Sequence, residues 1–183
     1  MARLTPLDLD NLDPEQQRVA DEIRSGPRGG LRGPFDAWLR APGLAEHAQK
    51  VGAYVRYNSS LPRDLNELAI LLTGKHWRAQ FEFWAHSRLA IEAGLDPAIV
   101  EAVRTGQQPP FTRDEERVIY DFVTEYYATG RVSDANYERA RAAFGEAGVV
   151  DLVGACGYYS LVSMTLNVFE VELPEGVEPP LGE

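Results

Sequence analysis

The chain has 183 residues, the length of one ordinary domain, and its 44% hydrophobic and 25% charged residues are typical of a folded globular protein. The formal net charge is −10, which disfavours a nucleic-acid partner because phosphate backbones attract basic surfaces. A single cysteine, Cys156, excludes an internal disulfide and a zinc site built from cysteines.

The sequence has no run of eighteen apolar residues, and its first residues lack a basic segment followed by an apolar one. These two observations favour a cytoplasmic protein that neither spans a membrane nor carries a secretory signal. The scarcity of cysteine is consistent with that compartment.

Helix start and stop signals occur throughout the chain, and no segment alternates between apolar and polar residues over a convincing length. The sequence therefore predicts an all-α fold. N-cap residues and prolines mark the expected helix starts, and glycines mark the expected ends. A short helical turn is expected at 35–40, and helices are expected at 14–25, 76–93, 97–106, 133–146 and 150–171. Two further helices open at Pro42 and at Pro62, and Gly74 interrupts the second of them. Another follows a capping box at 112–115 and ends near 128, and Gly148 ends the helix at 133–146.

Two polar side chains, Glu82 and His86, interrupt an aromatic segment at 77–86. Four residues apart on a helix, they share one face and can pair. A surface pair of this kind contributes only ~0.2–0.5 kcal/mol to helix stability. A buried pair would be an acid–base site with pKa values shifted toward neutrality. Spacing leaves both interpretations open, and the aromatic surroundings strengthen the second.

A third polar residue, Glu67, lies among apolar residues of the preceding helix. The sequence alone favours a carboxylate at the rim of an amphipathic face. If the helices on either side of Gly74 pack as an antiparallel pair, however, Glu67 approaches Glu82 and His86.

Three segments, Leu61–Leu72, Phe81–Leu95 and Gly157–Val171, together resemble the carboxymuconolactone decarboxylase and alkylhydroperoxidase D (AhpD) superfamily. The resemblance covers 35–174, which leaves 1–34 as a helical extension with a loop and 175–183 as an acidic tail. It implies a helical bundle of the AhpD-like type, assembled as a homotrimer or homohexamer.

In the peroxidase branch of that superfamily, a glutamate, the two cysteines of a CxxC pair and a histidine form a proton relay. The resemblance places the glutamate at Glu67 and the histidine at His86, and it puts Ala79 and Glu82 where the cysteines would stand. Without those thiols there is no nucleophile for a peroxide and no resolving partner. The chain therefore resembles the branch that lacks the CxxC.

That branch implies a lyase that acts on a small carboxylated or lactone-type organic acid without a cofactor or metal. His86 is the expected proton donor, and Glu82 and Glu67 are expected to orient it and extend the relay. Arg56 and Arg78 are the candidate ligands of a substrate carboxylate, and Trp84 is a candidate pocket residue.

Two alternatives belong to other classes of protein. One is a peroxidase or antioxidant enzyme of the AhpD-like family that uses Cys156 as a lone thiol, which the missing CxxC disfavours. The other is a non-catalytic helical protein that binds a ligand or supports an assembly and has lost the activity.

Overall fold

The computed structural model of the protein describes residues 2–182, in which eight helices and no strands occur, so the predicted all-α fold is confirmed. The longest helix changes direction at Gly145, whose φ of 69° is outside the helical region. The helices are α1 (Pro14–Ser25), α2 (Phe35–Trp38), α3 (Pro42–Tyr57), α4 (Arg63–His76), α5 (Gln80–Glu92), α6 (Pro97–Thr105), α7 (Asp114–Thr129) and α8 (Asp134–Val168).

Helix α4 is the central element, and it packs against α5, α6, α7 and α8. Its residues from Asp64 to Gly74 are all buried, so the amphipathic helix expected from the apolar spacing is enclosed on every side. Helices α4 and α5 form an antiparallel pair, because Glu67 lies beside His86 while Gly74 lies beside Glu82. This pairing brings polar residues of two helices to one point in the core.

Two hydrophobic clusters flank this central pair. One joins α4 and α5 to α7 and to the N-terminal and middle parts of α8, through residues such as Leu68, Phe83 and Ile119. The other packs α1, α2 and α3 against α8, through residues that include Trp38 and Tyr159. The N-terminal helices therefore share a core with the helix that closes the bundle.

Several predicted helix limits differ from the observed ones. Helix α4 continues through Gly74 to His76, and Gly74 is not among the glycines with positive φ, so the chain does not turn there. The turn comes at Arg78, whose φ is 51°, and it lets α5 fold back along α4. Likewise α8 bends at Gly145 rather than Gly148, and it ends at Val168, before the left-handed residue Glu170.

The capping box at the start of α7 is displaced by one residue from its predicted position. The Glu116 carboxylate, rather than that of Glu115, accepts the backbone N–H groups of Thr112 and Arg113, at 3.2 Å each. The Glu116 side chain is buried and also accepts a hydrogen bond from Arg113 Nε. The tertiary structure therefore determines which of the two adjacent glutamates caps the helix.

The C-terminal segment returns to the bundle. The backbone N–H of Leu181 donates to Gln80 Oε1 at 2.9 Å, and Arg104 donates to the carbonyl of Pro180 at 3.0 Å. Leu181 also packs against the core. The predicted acidic tail, 175–183, is therefore tied to α5 and α6 over its described part, and Glu183 lies outside the described residues.

Helix α8 carries an exposed apolar face along its C-terminal half. Spacings of three and four residues place these side chains on one stripe, and none of them is charged. The stripe consists of Val150, Val153, Leu161, Met164 and Val168, with the exposed Gly154 and Gly157 between them. Among the described residues, α8 is also long and apolar enough to cross a membrane, but 61% of its most apolar window is buried, as in a core helix of a folded domain.

Candidate functional site

Three polar side chains predicted from the sequence meet in the core. His86 Nδ1 lies 2.6 Å from Glu67 Oε2, and His86 Nε2 lies 2.9 Å from Glu82 Oε1. All three residues are almost fully buried, with 4% of Glu67, 4% of Glu82 and 6% of His86 exposed. Glu67 is thus an interior residue, and its expected position at the rim of the amphipathic face is wrong because α5 covers that face.

The two contacts of His86 differ in kind. The bond to Glu67 is short and well directed, as expected of a charge-assisted hydrogen bond. The contact with Glu82 has the distance of an ion pair, but the N–H does not point along it. Glu82 Oε1 therefore has no aligned hydrogen-bond partner within residues 2–182. A buried oxygen in this state can accept a proton or a hydrogen bond from a ligand.

His86 is held in its protonated form by its surroundings. Burial acts to lower its pKa, but the charges of Glu82 and Glu67, together with the hydrogen bond to Glu67, outweigh burial and raise the pKa to about 9. At neutral pH both ring nitrogens then carry protons. The residue is therefore able to donate a proton from Nε2 while Nδ1 stays bound to Glu67.

Arg56 balances the charge of this group. Two carboxylates and one imidazolium leave an excess negative charge, which is costly in the interior unless a cation lies near. Burial acts to lower the pKa of Arg56, but the surrounding acidic groups, Tyr159, Tyr57, Glu67 and Glu82, outweigh burial and raise it. Arg56 therefore stays charged and acts on both carboxylates at longer range, because neither of them forms an ion pair with it within residues 2–182.

Glu82 and His86 open onto a cavity of about 130 Å³ between α3, α5, α8 and the loop before α2. Its other lining residues fall into a cationic group, two tyrosines and an apolar rim. They are Arg28, Arg32 and Arg56, then Tyr158 and Tyr159, then Gly33, Pro34, Phe35, Phe81, Ala85, Leu89 and Val162. The volume is below the ~300–1,000 Å³ of ordinary ligand pockets, so the cavity fits a small ligand or one end of a larger one.

Tyr159 supplies a neutral donor beside the imidazole. Its ring centroid is 4.9 Å from that of His86, and its hydroxyl is buried with no hydrogen-bond partner in the described part of the chain. Burial raises the pKa of Tyr159 well above its usual value, so the phenol keeps its proton.

One of the three predicted substrate-binding residues lines this cavity, and the other two do not. Arg56 lines it, whereas Arg78 is exposed in the turn between α4 and α5 and Trp84 packs against Phe81, and neither of these two lines the cavity. The sequence interpretation did not include Arg28 and Arg32, which lie in the loop assigned to the N-terminal extension. Tyr158 and Tyr159 were also not among the candidates, because nothing in their local pattern distinguishes a cavity-lining residue from a core one.

Cys156 occupies a different part of the molecule. It lines a cavity of about 640 Å³ beside the exposed face of α8, with Trp77, Tyr127 and Ser160 among the other lining residues. The polar groups there bond to one another, for example Trp77 Nε1 to Ser160 Oγ at 2.9 Å. Burial raises the pKa of the Cys156 thiol to about 11, so very little thiolate forms at neutral pH.

The His86 group is not arranged as a metal site. No set of three or more His, Cys, Asp or Glu side chains within the described range is placed to hold a metal ion. Both ring nitrogens of His86 already lie against carboxylates, whereas a metal-bound imidazole presents one nitrogen to the ion.

No protein-family model matches the sequence, and no curated protein matches it. Solved structures with the same fold include a protein of unknown function from Agrobacterium tumefaciens, provisionally described as the antioxidant defence protein AhpD. It has a TM-score of 0.68 and 18% identity, covering 80% of this chain and 100% of that one. Another is an uncharacterized peroxidase-related protein from Silicibacter sp. TM1040, with a TM-score of 0.72 and 16% identity over 92% of this chain and 91% of that one. The expected AhpD-like fold is confirmed.

Proposed function

We propose that this protein is an enzyme that transfers protons to or from a small carboxylated organic acid, as a lyase of the decarboxylase type. One observation carries the proposal: the buried Glu67–His86–Glu82 group opens onto a small cavity that arginines line. A buried histidine with a raised pKa, in contact with two glutamates at the wall of a cavity, is characteristic of acid–base sites.

In the proposed reaction, the carbon–carbon bond to a substrate carboxylate breaks and carbon dioxide leaves. The electron pair enters a conjugated carbonyl or lactone and forms a dienolate. The protonated His86 then delivers its Nε2 proton to the receiving carbon, and solvent restores that proton for the next cycle. The raised pKa of His86 supports this role because the donor is charged before the reaction begins.

Glu82 and Glu67 take different parts in this proposal. Glu82 lines the cavity and its Oε1 has no aligned partner within residues 2–182, so it can contact the substrate. Glu67 does not line the cavity and acts through His86, whose ring it orients with a 2.6 Å bond at Nδ1. Glu67 is therefore a positioning residue.

The fold is also that of proteins whose names refer to antioxidant defence or peroxidases, which makes a peroxidase the second candidate. In this chain such a reaction would depend on Cys156. The raised pKa of its thiol and its place in another cavity argue against an activated nucleophile.

Turnover by a panel of unsaturated lactone acids and conjugated keto acids tests the proposal. With carbon-13 and proton NMR in D₂O, we expect loss of the carboxyl carbon signal and one deuterium at the receiving carbon. His86→Gln is expected to lower kcat by about 10²–10⁴-fold, the usual contribution of a general acid. Cys156→Ser is the matched control and is expected to leave kcat unchanged.

Two results would contradict this function. Peroxide consumption that disappears in Cys156→Ser, without turnover of the organic acids, would favour the peroxidase. Equal ligand binding by His86→Gln and the unmodified protein, again without turnover, would favour a binding protein.

We further propose that copies of the chain associate as a homotrimer or homohexamer through the exposed face of α8, and that the protein is cytoplasmic. Apolar residues on this face, such as Val150 at 71% exposure, are contiguous and uncharged, as in surfaces that associate. Light scattering is expected to give three or six times the 20.3 kDa of one chain. Val153→Glu combined with Met164→Glu should reduce that mass, and a single-chain mass for the unmodified protein at micromolar concentration would refute the assembly.

A further inference from the structure

A loop of the N-terminal extension places an arginine over the candidate active site. The loop follows α1, and its residues Arg28, Arg32 and Gly33 line the cavity that Glu82 and His86 open onto. The extension thus contributes side chains to the site, although it precedes the segment that carries the sequence resemblance.

The guanidinium of Arg28 is held from several sides. Its Cζ lies 5.3 Å from the centroid of the Phe35 ring, and its Nη2 donates to the hydroxyl of Tyr158 at 3.3 Å. The backbone of Gly52 in α3 provides the space for both groups, because a Cβ there would overlap Arg28 Nη2 and the Tyr158 hydroxyl. Arg56 follows Gly52 by one helical turn, so two arginines converge on the same side of the cavity.

The cavity arginines lack the ion-paired carboxylates that most other arginines of the protein have. Arg3, Arg18 and Arg104, for example, form ion pairs with carboxylates. Within the described residues, no carboxylate forms an ion pair with Arg28, Arg32 or Arg56, and Arg28 Nε is buried without a hydrogen-bond partner. A buried guanidinium donor in this state needs an acceptor, which a ligand can supply.

The charged side chains around the cavity favour an anionic ligand. The protein as a whole carries a formal net charge of −10, yet three arginines line this one cavity against a single carboxylate, that of Glu82. Low-dielectric walls concentrate the field of such a cluster and favour a small anion. The planar fork of an arginine fits a carboxylate with two parallel hydrogen bonds.

We propose that Arg28, together with Arg56, forms a carboxylate-binding subsite of the Glu67–His86–Glu82 cavity, and that the N-terminal loop thereby determines substrate specificity. The Tyr159 hydroxyl, which has no partner within residues 2–182, completes the subsite as a neutral donor. The class of substrate assigned to this subsite rests on the proposed function.

This subsite holds the carboxylate that stays in the product. An arginine bond stabilises a carboxylate in the ground state, so it would oppose loss of the same group as carbon dioxide. The leaving carboxylate belongs instead near Glu82, where charge repulsion favours its departure. Arg28 and Arg56 therefore act as binding and orienting groups, and their loss is expected to raise KM more than it lowers kcat.

Titration with crotonate, a small unsaturated monocarboxylate, tests the subsite without any need for turnover. In NMR spectra of the full-length protein, we expect crotonate to shift the Arg28 Nε–H and Gly33 amide signals, and the neutral isostere crotonamide to leave them unchanged. Arg28→Gln is expected to weaken crotonate binding by about 10–100-fold, the value of a charge-assisted hydrogen bond. Arg24→Gln removes the same charge from an exposed site on α1 and is expected to leave binding unchanged.

A second pair of variants keeps the test decisive if Arg28→Gln folds poorly. Arg28→Lys preserves the charge but not the fork, and Gly52→Ala displaces Arg28 and Tyr158 without any change in charge. Both should weaken crotonate binding. Absence of crotonate binding, equal binding of crotonamide, equal affinities of the Arg28 and Arg24 variants, or tighter binding of inorganic phosphate would each overturn the subsite. A wrong reaction assignment would instead leave crotonate binding intact while the substrate panel shows no turnover.

Discussion

Replacement of Glu67 by alanine is expected to reduce the free energy of unfolding by about 3–5 kcal/mol, a large part of the roughly 5–15 kcal/mol of a typical domain. The substitution removes the partner of His86 Nδ1, which lies 2.6 Å away in the core, and leaves a buried donor unpaired. It also creates a cavity between α4 and α5. Denaturant unfolding at pH 7, monitored by circular dichroism, measures the change.

Two other substitutions separate the buried interaction from the loss of a glutamate as such. Glu67→Gln keeps the shape and an acceptor oxygen, so a smaller loss is expected. Glu138→Ala breaks an exposed ion pair with Arg141 and is expected to change stability by less than about 1 kcal/mol. If Glu67→Ala were as stable as Glu138→Ala, the buried Glu67–His86 bond would not hold these helices together.

Stability is expected to fall by about 3 kcal/mol as the pH rises from 6.5 to 9. The pKa of His86 is raised to about 9 in the folded protein, and the ordinary value of 6.5 applies to the unfolded chain. Proton binding therefore favours the folded state fully below pH 6.5, and this contribution is lost progressively as His86 deprotonates toward pH 9. Urea unfolding at pH 6, 7.5 and 9 measures this decrease.

The pH dependence can be assigned to His86 with a matched histidine. His47→Gln changes an exposed residue of α3 and is expected to retain the fall in stability. His86→Gln is expected to remove it. An NMR titration of the His86 ring in the unmodified protein provides an independent measurement, and a ring that titrates near pH 6.5 would refute the coupling to Glu67 and Glu82.

Short-range contacts explain which structural features could be predicted from the sequence. Helix α1 begins where expected because the Asp13 carboxylate accepts the backbone N–H groups of Glu15 and Gln16 at 2.9 Å each, and it ends as expected before Gly26. The Glu82–His86 pair was likewise predictable, since residues four apart on one helix are neighbours in any fold. Helix limits at glycines were less predictable, because neighbouring elements determine whether the chain turns there.

The rest of the candidate site depends on contacts between residues that are far apart in the chain. Glu67 meets His86 across 19 positions because α5 folds back along α4, and Arg28 meets Tyr158 across 130 positions because α8 packs against the N-terminal helices. Composition and local residue spacing do not indicate which distant parts of the chain come into contact. The all-α fold, the acidic net charge and the Glu82–His86 pair could therefore be predicted from the amino acids. Burial of Glu67 and the convergence of arginines on the cavity depended on how the helices pack.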